Sequence, residues 1–171
     1  LHGHAKTMSE IKMPEGFEDR IKAAGGEILP PAADGNASAR VDADRLIEVL
    51  TALRDGPGAR FDMLTDVCSV DESPQKPRFD VIYHLRCLAT GEVVRLKVHA
   101  KAVKHGEGDK HEVPSAVPVY GTADWHEREA YDLYGVEFLG HPELERIFLP
   151  EDWEGYPLRK DYPLEGPNLE L

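Results

Sequence analysis

Two segments in the first third of the chain place apolar residues at helical spacing. In EGFEDRIKAAGG, Phe17, Ile21 and Ala24 fall on one face and a Gly-Gly pair follows, which predicts a short amphipathic helix. In VDADRLIEVLTALRDGPG the same spacing predicts a longer helix, with Asp42 as its N-cap and Gly56–Pro57–Gly58 at its end. The core-facing positions of this second helix are Leu46, Val49, Leu50 and Leu53. Between the two helices, ILPPAADGNAS is rich in proline, glycine and asparagine and predicts a loop.

The middle of the chain changes from helical spacing to alternation. FDMLTDVCSVD predicts a strand, and two further segments alternate apolar and polar residues on either side of a turn at Thr90–Gly91. The inward positions are Phe79, Val81, Tyr83, Leu85 and Cys87, then Val94, Leu96, Val98 and Ala100. Strict alternation implies one face that is solvated or covered by a partner, so we expect an antiparallel hairpin.

A basic cluster follows the outward positions of the second hairpin strand. Its members are Arg95, Lys97, Lys101 and Lys104. A solvated sheet face is the usual meaning of such a cluster, and docking on an acidic partner is the alternative.

The next stretch, KHGEGDKHEVPSAVPVYGT, predicts a polar connection. It holds His105 and His111 together with Glu107, Asp109 and Glu112, which are residue types that bind metal ions. These side chains have neither helical nor C-x-x-C spacing, so the sequence does not predict that they meet. Two glycines also give the loop a wide range of backbone conformations. The spacing therefore does not favour a metal site here.

In the last third, DWHEREAYDLYGV predicts a helix. Asp124 and Glu127 have the spacing of a capping box, and Gly135 is suited to the C′ position that ends a helix. Arg128 and Asp132 form a predicted i, i+4 pair. The chain after this helix is punctuated by prolines and has no long periodic run, so it must lie along this domain or along another chain.

Composition excludes several classes of function. The net charge of −12 disfavours binding to nucleic acids and to anionic lipid surfaces. The sequence has no apolar run of the ~18–20 residues that a spanning helix needs, and its start does not resemble a signal peptide, so we expect an intracellular protein. Cys68 and Cys87 are too few to hold an iron–sulfur cluster, and two reduced thiols are favoured over a disulfide.

Catalytic motifs are absent from the sequence. It contains no G-x-G-x-x-G, P-loop, H-E-x-x-H or G-x-S-x-G. Glu127 and Glu129 are two apart on a predicted helix and point in different directions, so they do not form the facing carboxylate pair of a glycosidase. Trp125, Tyr131 and Tyr134 are instead residue types favoured at protein interfaces, and a surface helix with ordinary caps is the alternative.

From Glu127 to Leu164 the chain reads EREAYDLYGVEFLGHPELERIFLPEDWEGYPLRKDYPL. This segment resembles the signature of the C subunit of proton-pumping NADH:quinone oxidoreductase, respiratory complex I, which is the homologue of the mitochondrial thirty-kilodalton subunit. The matching residues are Glu127-Arg128-Glu129, Tyr131-Asp132, Gly135, Gly140-His141-Pro142, Ile147, Glu154-Gly155 and Pro157 to Leu164. Family members often carry Arg in place of Glu145 and His in place of Tyr156.

The resemblance implies a cofactor-free subunit of the peripheral arm, on the cytoplasmic face of the inner (plasma) membrane. NADH, FMN, the iron–sulfur clusters and quinone would belong to the assembly, which transfers electrons from NADH to quinone while this chain is not itself catalytic. The implied partners are the D subunit, which forms the quinone site, and the B subunit, which bears the terminal cluster. The resemblance does not imply a membrane span in this chain or a nucleic-acid partner. The alternatives are the homologous subunit of a membrane-bound hydrogenase or ferredoxin-linked complex, and a free-standing soluble enzyme.

No catalytic, cofactor-binding or metal residue is assigned. The predicted partner-interface residues are Glu127, Arg128, Glu129, Tyr131, Asp132, Tyr134, Gly135, His141, Pro142, Arg159, Lys160, Asp161, Tyr162 and Pro163. In this hypothesis Arg128 and Asp132 fix the helix, Tyr131 and Tyr134 pack near the subunit boundary, and residues 142–163 form a rigid strap. Its Arg159-Lys160-Asp161 run would pair with partner charges.

The expected fold is α+β, with helices on one face of a small mixed or antiparallel sheet, then an interface helix and an extended proline-rich tail. The expected divisions are a variable segment with a short helix at 1–35, a core domain at 36–121, and the signature helix with its docking tail at 122–171.

Overall fold

The computed structural model describes residues 13–30, 34–106 and 108–165. Helices α1, α2 and α3 span Phe17–Ala23, Leu46–Asp55 and Ala123–Tyr134, and a 3₁₀ turn at Ala43–Arg45 leads into α2. Strands β1 to β8 span Glu27–Leu29, Ala37–Val41, Met63–Asp71, Phe79–Arg86, Val93–His99, Lys101–His105, Gly108–Pro114 and Val136–Leu139. The α+β class expected from the sequence is confirmed.

Five strands form the larger sheet, in the order β1-β2-β5-β4-β3. β2 and β5 are parallel and the other neighbouring pairs are antiparallel. The predicted hairpin of β4 and β5 is confirmed, and Tyr83 lies opposite Leu96 in its register. The alternation of the sequence sets this register, because a shift by one residue would turn the apolar side chains out of the core.

The inward face of the larger sheet shares one core with α1 and α2. Phe17 and Ile21 of α1 and Leu46, Val49, Leu50 and Leu53 of α2 are buried there. Phe17 packs edge-on against Phe61, with ring centroids 6.0 Å apart. The predicted helices and their apolar faces are therefore confirmed.

The N-cap prediction for α2 was inaccurate. Asp42 precedes the 3₁₀ turn rather than α2, and its side chain makes no capping hydrogen bond. The loop predicted between the first two helices is also partly wrong, because β1 and β2 pair within it. β1 has only three residues and β2 only five, which is too short for alternation to stand out in the sequence.

The segment predicted as a polar connection forms most of a second sheet. Its order is β6-β7-β8, with β6 antiparallel and β8 parallel to β7. Every residue of β6 is exposed, so this strand has no apolar face that the sequence could reveal. Cross-strand pairs hold it instead, including an ion pair of 2.7 Å between Lys104 and Asp109.

The basic cluster is divided between the two sheets, because Arg95 and Lys97 lie on β5 whereas Lys101 and Lys104 lie on β6. Arg95 pairs with Asp34 at 2.6 Å, and Lys101 pairs with Asp44. It is therefore not one continuous basic patch.

α3 packs along β3, which is an edge strand of the larger sheet, and leads through Gly135 into β8. The helix α3 therefore connects the larger sheet to the second sheet. Residues 140–165 follow directly after β8. None of the described helices is long and apolar enough to cross a membrane.

Candidate partner-docking site

Residues 140–165 include the predicted strap of residues 142–163, and we call the whole segment the strap. It is held to the domain by polar contacts, most of them partly buried, rather than by regular secondary structure. Asp132 of α3 is the first anchor. One carboxylate oxygen accepts hydrogen bonds from the backbone N–H groups of Ile147, Phe148 and Leu149 at 3.0, 2.7 and 3.1 Å. The other accepts a hydrogen bond of 2.9 Å from Nη1 of Arg146. Asp132 therefore satisfies three strap donors and one strap cation.

The electrostatics of Asp132 follow from these contacts. Its side chain is fully buried, and burial alone would raise the pKa of the carboxyl. The hydrogen bonds from the strap backbone and from Arg146 outweigh burial and hold the pKa of Asp132 below its usual value. Asp132 is therefore ionised at neutral pH, and its charge is neutralised by the strap.

Arg159 is the second anchor, and it binds the C-terminal end of α3. Its Nε donates to the carbonyl of Tyr134 at 2.6 Å, and its Nη2 donates to that of Gly135 at 3.4 Å. The guanidinium lies 4.3 Å from the centroid of the Tyr156 ring and 5.2 Å from that of Phe79. A cation here satisfies carbonyls that lack helical partners and complements the helix dipole.

Gly135 makes this contact possible. It ends α3 with φ +69°, the left-handed conformation that favours glycine, as the sequence predicted for a C′ residue. A Cβ at this position would come within 2.5 Å of Arg159 Nη2 and of the Tyr156 ring. Both the backbone conformation and the packing of the strap therefore require glycine.

The third anchor fixes the end of the strap to the loop between β3 and β4. Arg78 donates from Nη2 to Asp71 at 2.8 Å and to Asp161 at 2.7 Å. Asp71 also accepts from the backbone N–H of Lys160 at 2.9 Å, while Lys160 Nζ donates to the carbonyl of Ser73 at 3.1 Å. Burial would raise the pKa of Asp71, but these bonds lower it to about 2.

Two sequence predictions about α3 are wrong. Glu127 does not form a capping box with Asp124, because it is fully buried: it accepts from Ser115 Oγ and from the N–H of Ala116, both at 2.6 Å. Arg128 does not pair with Asp132, whose carboxylate is occupied by the strap. Arg128 instead donates to the carbonyl of Glu145 at 3.1 Å.

Glu127 is the most perturbed carboxyl described. Burial raises its pKa to about 7, against the two hydrogen bonds that favour the charged form. Tyr83 of β4 lies in the same core, and its hydroxyl has no hydrogen-bond partner among the described residues. Glu129, by contrast, is exposed two residues further along, so the predicted divergence of the two carboxylates is confirmed.

The other predicted interface residues also make contacts within the chain. The Tyr131 ring packs edge-on against Tyr156 at 6.5 Å, and Tyr134 against Phe79 at 6.4 Å. His141 accepts from the N–H of Glu143 at 3.0 Å and so shapes the turn that opens the strap. The exposed part of the strap includes Pro142 and Pro163, and Tyr162 is half-buried.

Apolar side chains project from the outer side of this region. Among the described residues, eight large hydrophobic side chains are exposed, and five of them lie between Trp125 and Leu164. Phe148 is 62% exposed and Leu158 is 50% exposed, although the backbone beside each is hydrogen-bonded to α3. An apolar surface on a rigid support is typical of a protein interface.

A separate cluster on the larger sheet has the residue types of a metal site. Ligand atoms of Asp66, Cys68 and His84 lie within 4.8 Å of one another. Arg95 Nε donates to His84 Nε2 at 3.0 Å, so the proton of the neutral imidazole lies on Nδ1, the atom that faces Asp66. A neighbouring cation and a proton on the wrong nitrogen both oppose metal binding here.

The residues of metal-ligand type in the polar stretch are not brought together. His105 is exposed at the end of β6, whereas His111 is buried in β7. Glu107 lies outside the described residues.

The fold and the strap define an α+β domain with an anchored segment after α3 that carries exposed apolar side chains. The family model described as "Respiratory-chain NADH dehydrogenase, 30 Kd subunit" matches residues 39–168. A C subunit of the NADH-quinone oxidoreductase of Rhizobium etli, the one numbered 2, is 40% identical over 160 residues, covering 94% of this chain and 79% of the relative. The C subunit of the same enzyme from Roseiflexus sp. is 41% identical over 150 residues, covering 85% and 82%. The chain belongs to this family, which confirms the resemblance seen in its C-terminal signature.

Solved structures show the same fold. A trypsin-resistant fragment, residues 1–134, of Nqo5 superposes with a TM-score of 0.58 at 25% identity, covering 76% of this chain and 98% of the fragment. A chain of the membrane-bound sulfane sulfur reductase, an archaeal respiratory membrane complex, superposes with a TM-score of 0.67 over 86% of this chain and 83% of its own length. At 22% identity this second likeness shows the fold alone.

Proposed function

We propose that this chain is a scaffolding subunit that docks its neighbours through the outer side of the strap. As a member of its family it is a peripheral-arm subunit of NADH:quinone oxidoreductase, and the transfer of electrons from NADH to quinone is the reaction of the assembly. In the proposal the chain carries no redox cofactor of its own. It supports the quinone-site subunit and the cluster-bearing subunit on the cytoplasmic face of the membrane.

The observation that carries the proposal is the two-sided strap. On its inner side, Asp132 of α3 binds the strap backbone, and Arg159 of the strap binds the backbone at the end of α3, through partly buried hydrogen bonds. On its outer side, Phe148 and Leu158 are left exposed to solvent. Because ordering a segment of chain is costly, a partner gains from an apolar surface that is already fixed before it binds.

Phe148→Ser tests this docking surface. The side chain is 62% exposed, so the substitution should leave folding unchanged while weakening association with the neighbouring subunits by about tenfold or more. Association is measured as the yield of partner subunits recovered with the tagged chain from native membranes. Leu88→Ser is the matched control, because Leu88 is 61% exposed just beyond the end of β4. Equal recovery with both variants would refute the proposal.

The identity of the recovered partners tests the finer assignment. The quinone-site and cluster-bearing subunits, together with an NADH-binding flavoprotein, are expected. Recovery of a nickel–iron hydrogenase subunit in place of the flavoprotein would favour the hydrogenase-type alternative, in which the same strap serves a different electron donor.

A further inference from the structure

A cavity of about 520 Å³ lies between the loop joining β3 and β4, the hairpin of β6 and β7, and the strap. The titratable side chains that line it are those of Lys76, Arg78, Asp109, His111 and Arg159. Two of the charged groups are already paired, since Arg78 binds both Asp71 and Asp161, and Asp109 binds Lys104 at 2.7 Å. The two carboxylates outnumber Arg78, and Arg159 nearby offsets their surplus negative charge. The remaining charges determine what the cavity can bind.

Arg159 brings a cation to the cavity and makes no direct hydrogen bond to a described carboxylate. Its Nε and Nη2 donate to backbone carbonyls, and Nη1 forms no hydrogen bond or ion pair with the described residues. Burial lowers the pKa of Arg159, and the nearby cation Arg78 lowers it further. The two carboxylates that bind Arg78 also lie close enough to raise this pKa, but they offset only part of the lowering. The aromatic rings of Tyr156 and Phe79 hold the guanidinium in place. A half-buried guanidinium that is held in place and has one nitrogen without a hydrogen-bond partner among the described residues is a preorganised donor to an oxyanion.

His111 supplies a second, independent indication. Its side chain is buried, with 6% of the residue exposed, and its Nδ1 has no hydrogen-bond partner in the described part of the chain. The Phe79 ring packs edge-on at 4.7 Å and fixes the imidazole. Burial lowers the pKa of His111, and the two arginines that line the cavity lower it further. Asp109 and Asp71 raise it by less, so the pKa stays below its usual value and His111 is neutral at pH 7. A buried polar group without a partner is costly unless a ligand satisfies it.

Lys76 completes the arrangement at the rim. It is exposed and forms no ion pair with any described residue, so its ammonium is available to a ligand. We propose that this cavity binds the phosphate group of a small phosphomonoester, with Arg159, His111 and Lys76 as donors. Three donors on separate segments match the several oxygens of a phosphate group better than the two oxygens of a carboxylate, and the volume leaves room for an organic group beside the phosphate.

Binding would change the protonation of His111. A dianion beside the ring offsets the two arginines that now disfavour the charged imidazole, so phosphate should raise the pKa of His111. The ¹⁵N shifts of the imidazole report this change directly. This readout is independent of affinity and would not respond to phosphate bound elsewhere on the surface.

The test uses the whole chain and isothermal titration with inorganic phosphate and with glycerol phosphate. Lys76→Met is expected to weaken both by about tenfold, which is the usual effect of losing a charge-assisted hydrogen bond. Lys97→Met is the matched control on the larger sheet and should bind as the wild type does. Arg159→Lys should also weaken phosphate binding, but this substitution also removes contacts between the strap and α3. Lys76→Met leaves those contacts intact and is therefore the decisive variant.

Four outcomes would overturn phosphate binding by this cavity. Two concern affinity in the wild type: no detectable phosphate binding, and acetate binding as tightly as phosphate. The third is an equal loss of phosphate affinity in Lys76→Met and Lys97→Met. The fourth is no change in the ¹⁵N shifts of His111 when phosphate is added. Tighter binding of glycerol phosphate than of inorganic phosphate would identify a phosphomonoester as the ligand. The reverse order would overturn the assignment to an organic phosphate.

Discussion

Asp132 and Arg146 form an ion pair of 2.9 Å in which the carboxylate is fully buried and the guanidinium nearly so. The arginine also donates to the carbonyl of Gly155 at 3.1 Å, so this pair connects α3 to two parts of the strap. Buried pairs of this kind contribute little when both partners are replaced together, but removing one partner is costly.

Asp132→Asn should therefore destabilise the protein by about 3 kcal/mol, because it leaves Arg146 without a counterion in a buried site. Urea unfolding measures the loss, and limited proteolysis should show that residues 146–155 are cut first. Asp152→Asn is the control, since Asp152 is exposed on the same strap. A similar change in both variants would mean that Asp132 is not the anchor.

Gly135→Ala tests the contact between α3 and Arg159. The left-handed backbone alone costs about 1–2 kcal/mol for a residue with a Cβ. The clash with Arg159 and Tyr156 should add to this cost. Gly140→Ala separates the two effects, because Gly140 has φ +81° and no atom within 4 Å of its added Cβ. The unfolding free energy of Gly135→Ala should thus fall further than that of Gly140→Ala, and equal losses would contradict the packing argument.

Glu127 should make the protein less stable as the pH rises towards neutrality. Its pKa is raised to about 7 in the folded state, from 4.5, so the protonated form is the one that folding favours. The associated stability is present below pH 4.5 and is lost as the pH rises through about 7. The difference is on the order of 3 kcal/mol. Asp124 on the same helix adds to the shift, and Tyr83 is the titratable group that faces Glu127 from the sheet.

Glu127→Gln should remove this pH dependence, because an amide keeps the shape and cannot ionise. The measurement is the unfolding free energy at intervals between about pH 4 and pH 8, the window in which this carboxyl titrates. Glu129→Gln, exposed on the same helix, should retain the wild-type profile. The prediction fails if the profiles of the two variants coincide.

Asp71 should make the protein less stable in acid, which is the opposite pH dependence to that expected from Glu127. Its pKa is lowered from 3.8 to about 2 in the folded state, so its contribution is present above pH 3.8 and disappears as the pH falls through about 2. The contribution is about 2 kcal/mol. Asp71→Asn should flatten the acid limb of the plot of unfolding free energy against pH. Asp152→Asn, exposed on the strap, is the control and should keep the acid limb of the wild type. Identical acid limbs in the two variants would contradict the assignment.

The residues that could be predicted were those whose neighbours in the sequence are also their neighbours in space. Phe79, Val81, Tyr83 and Leu85 indicate a strand by alternation, and the residues from Leu46 to Leu53 indicate a helix by their period. Gly135 indicates the end of α3. In each of these cases the structure depends on residues close together in the sequence, so the sequence of the segment alone is sufficient to predict it.

The failures came from contacts between residues distant in sequence. Asp132 was predicted to pair with Arg128, four residues away. Its carboxylate instead binds three strap N–H groups and Arg146, which are 14 to 17 residues away in the sequence. Glu127 has the type and spacing of a capping residue, but burial against Ser115 and Ala116 gives it another role. β6 offers no apolar period at all, because pairing with β7 is what holds it in place.

The left-handed turn at Gly135 has a consequence for assembly. Because Arg159 binds the carbonyls of Tyr134 and Gly135, the position of the strap depends on where α3 ends. Phe148, which is held by Asp132, and Leu158, which precedes Arg159, are therefore both placed relative to the same helix. In the proposed docking, a neighbouring subunit that contacts both side chains would bind best to copies in which this helix end is formed.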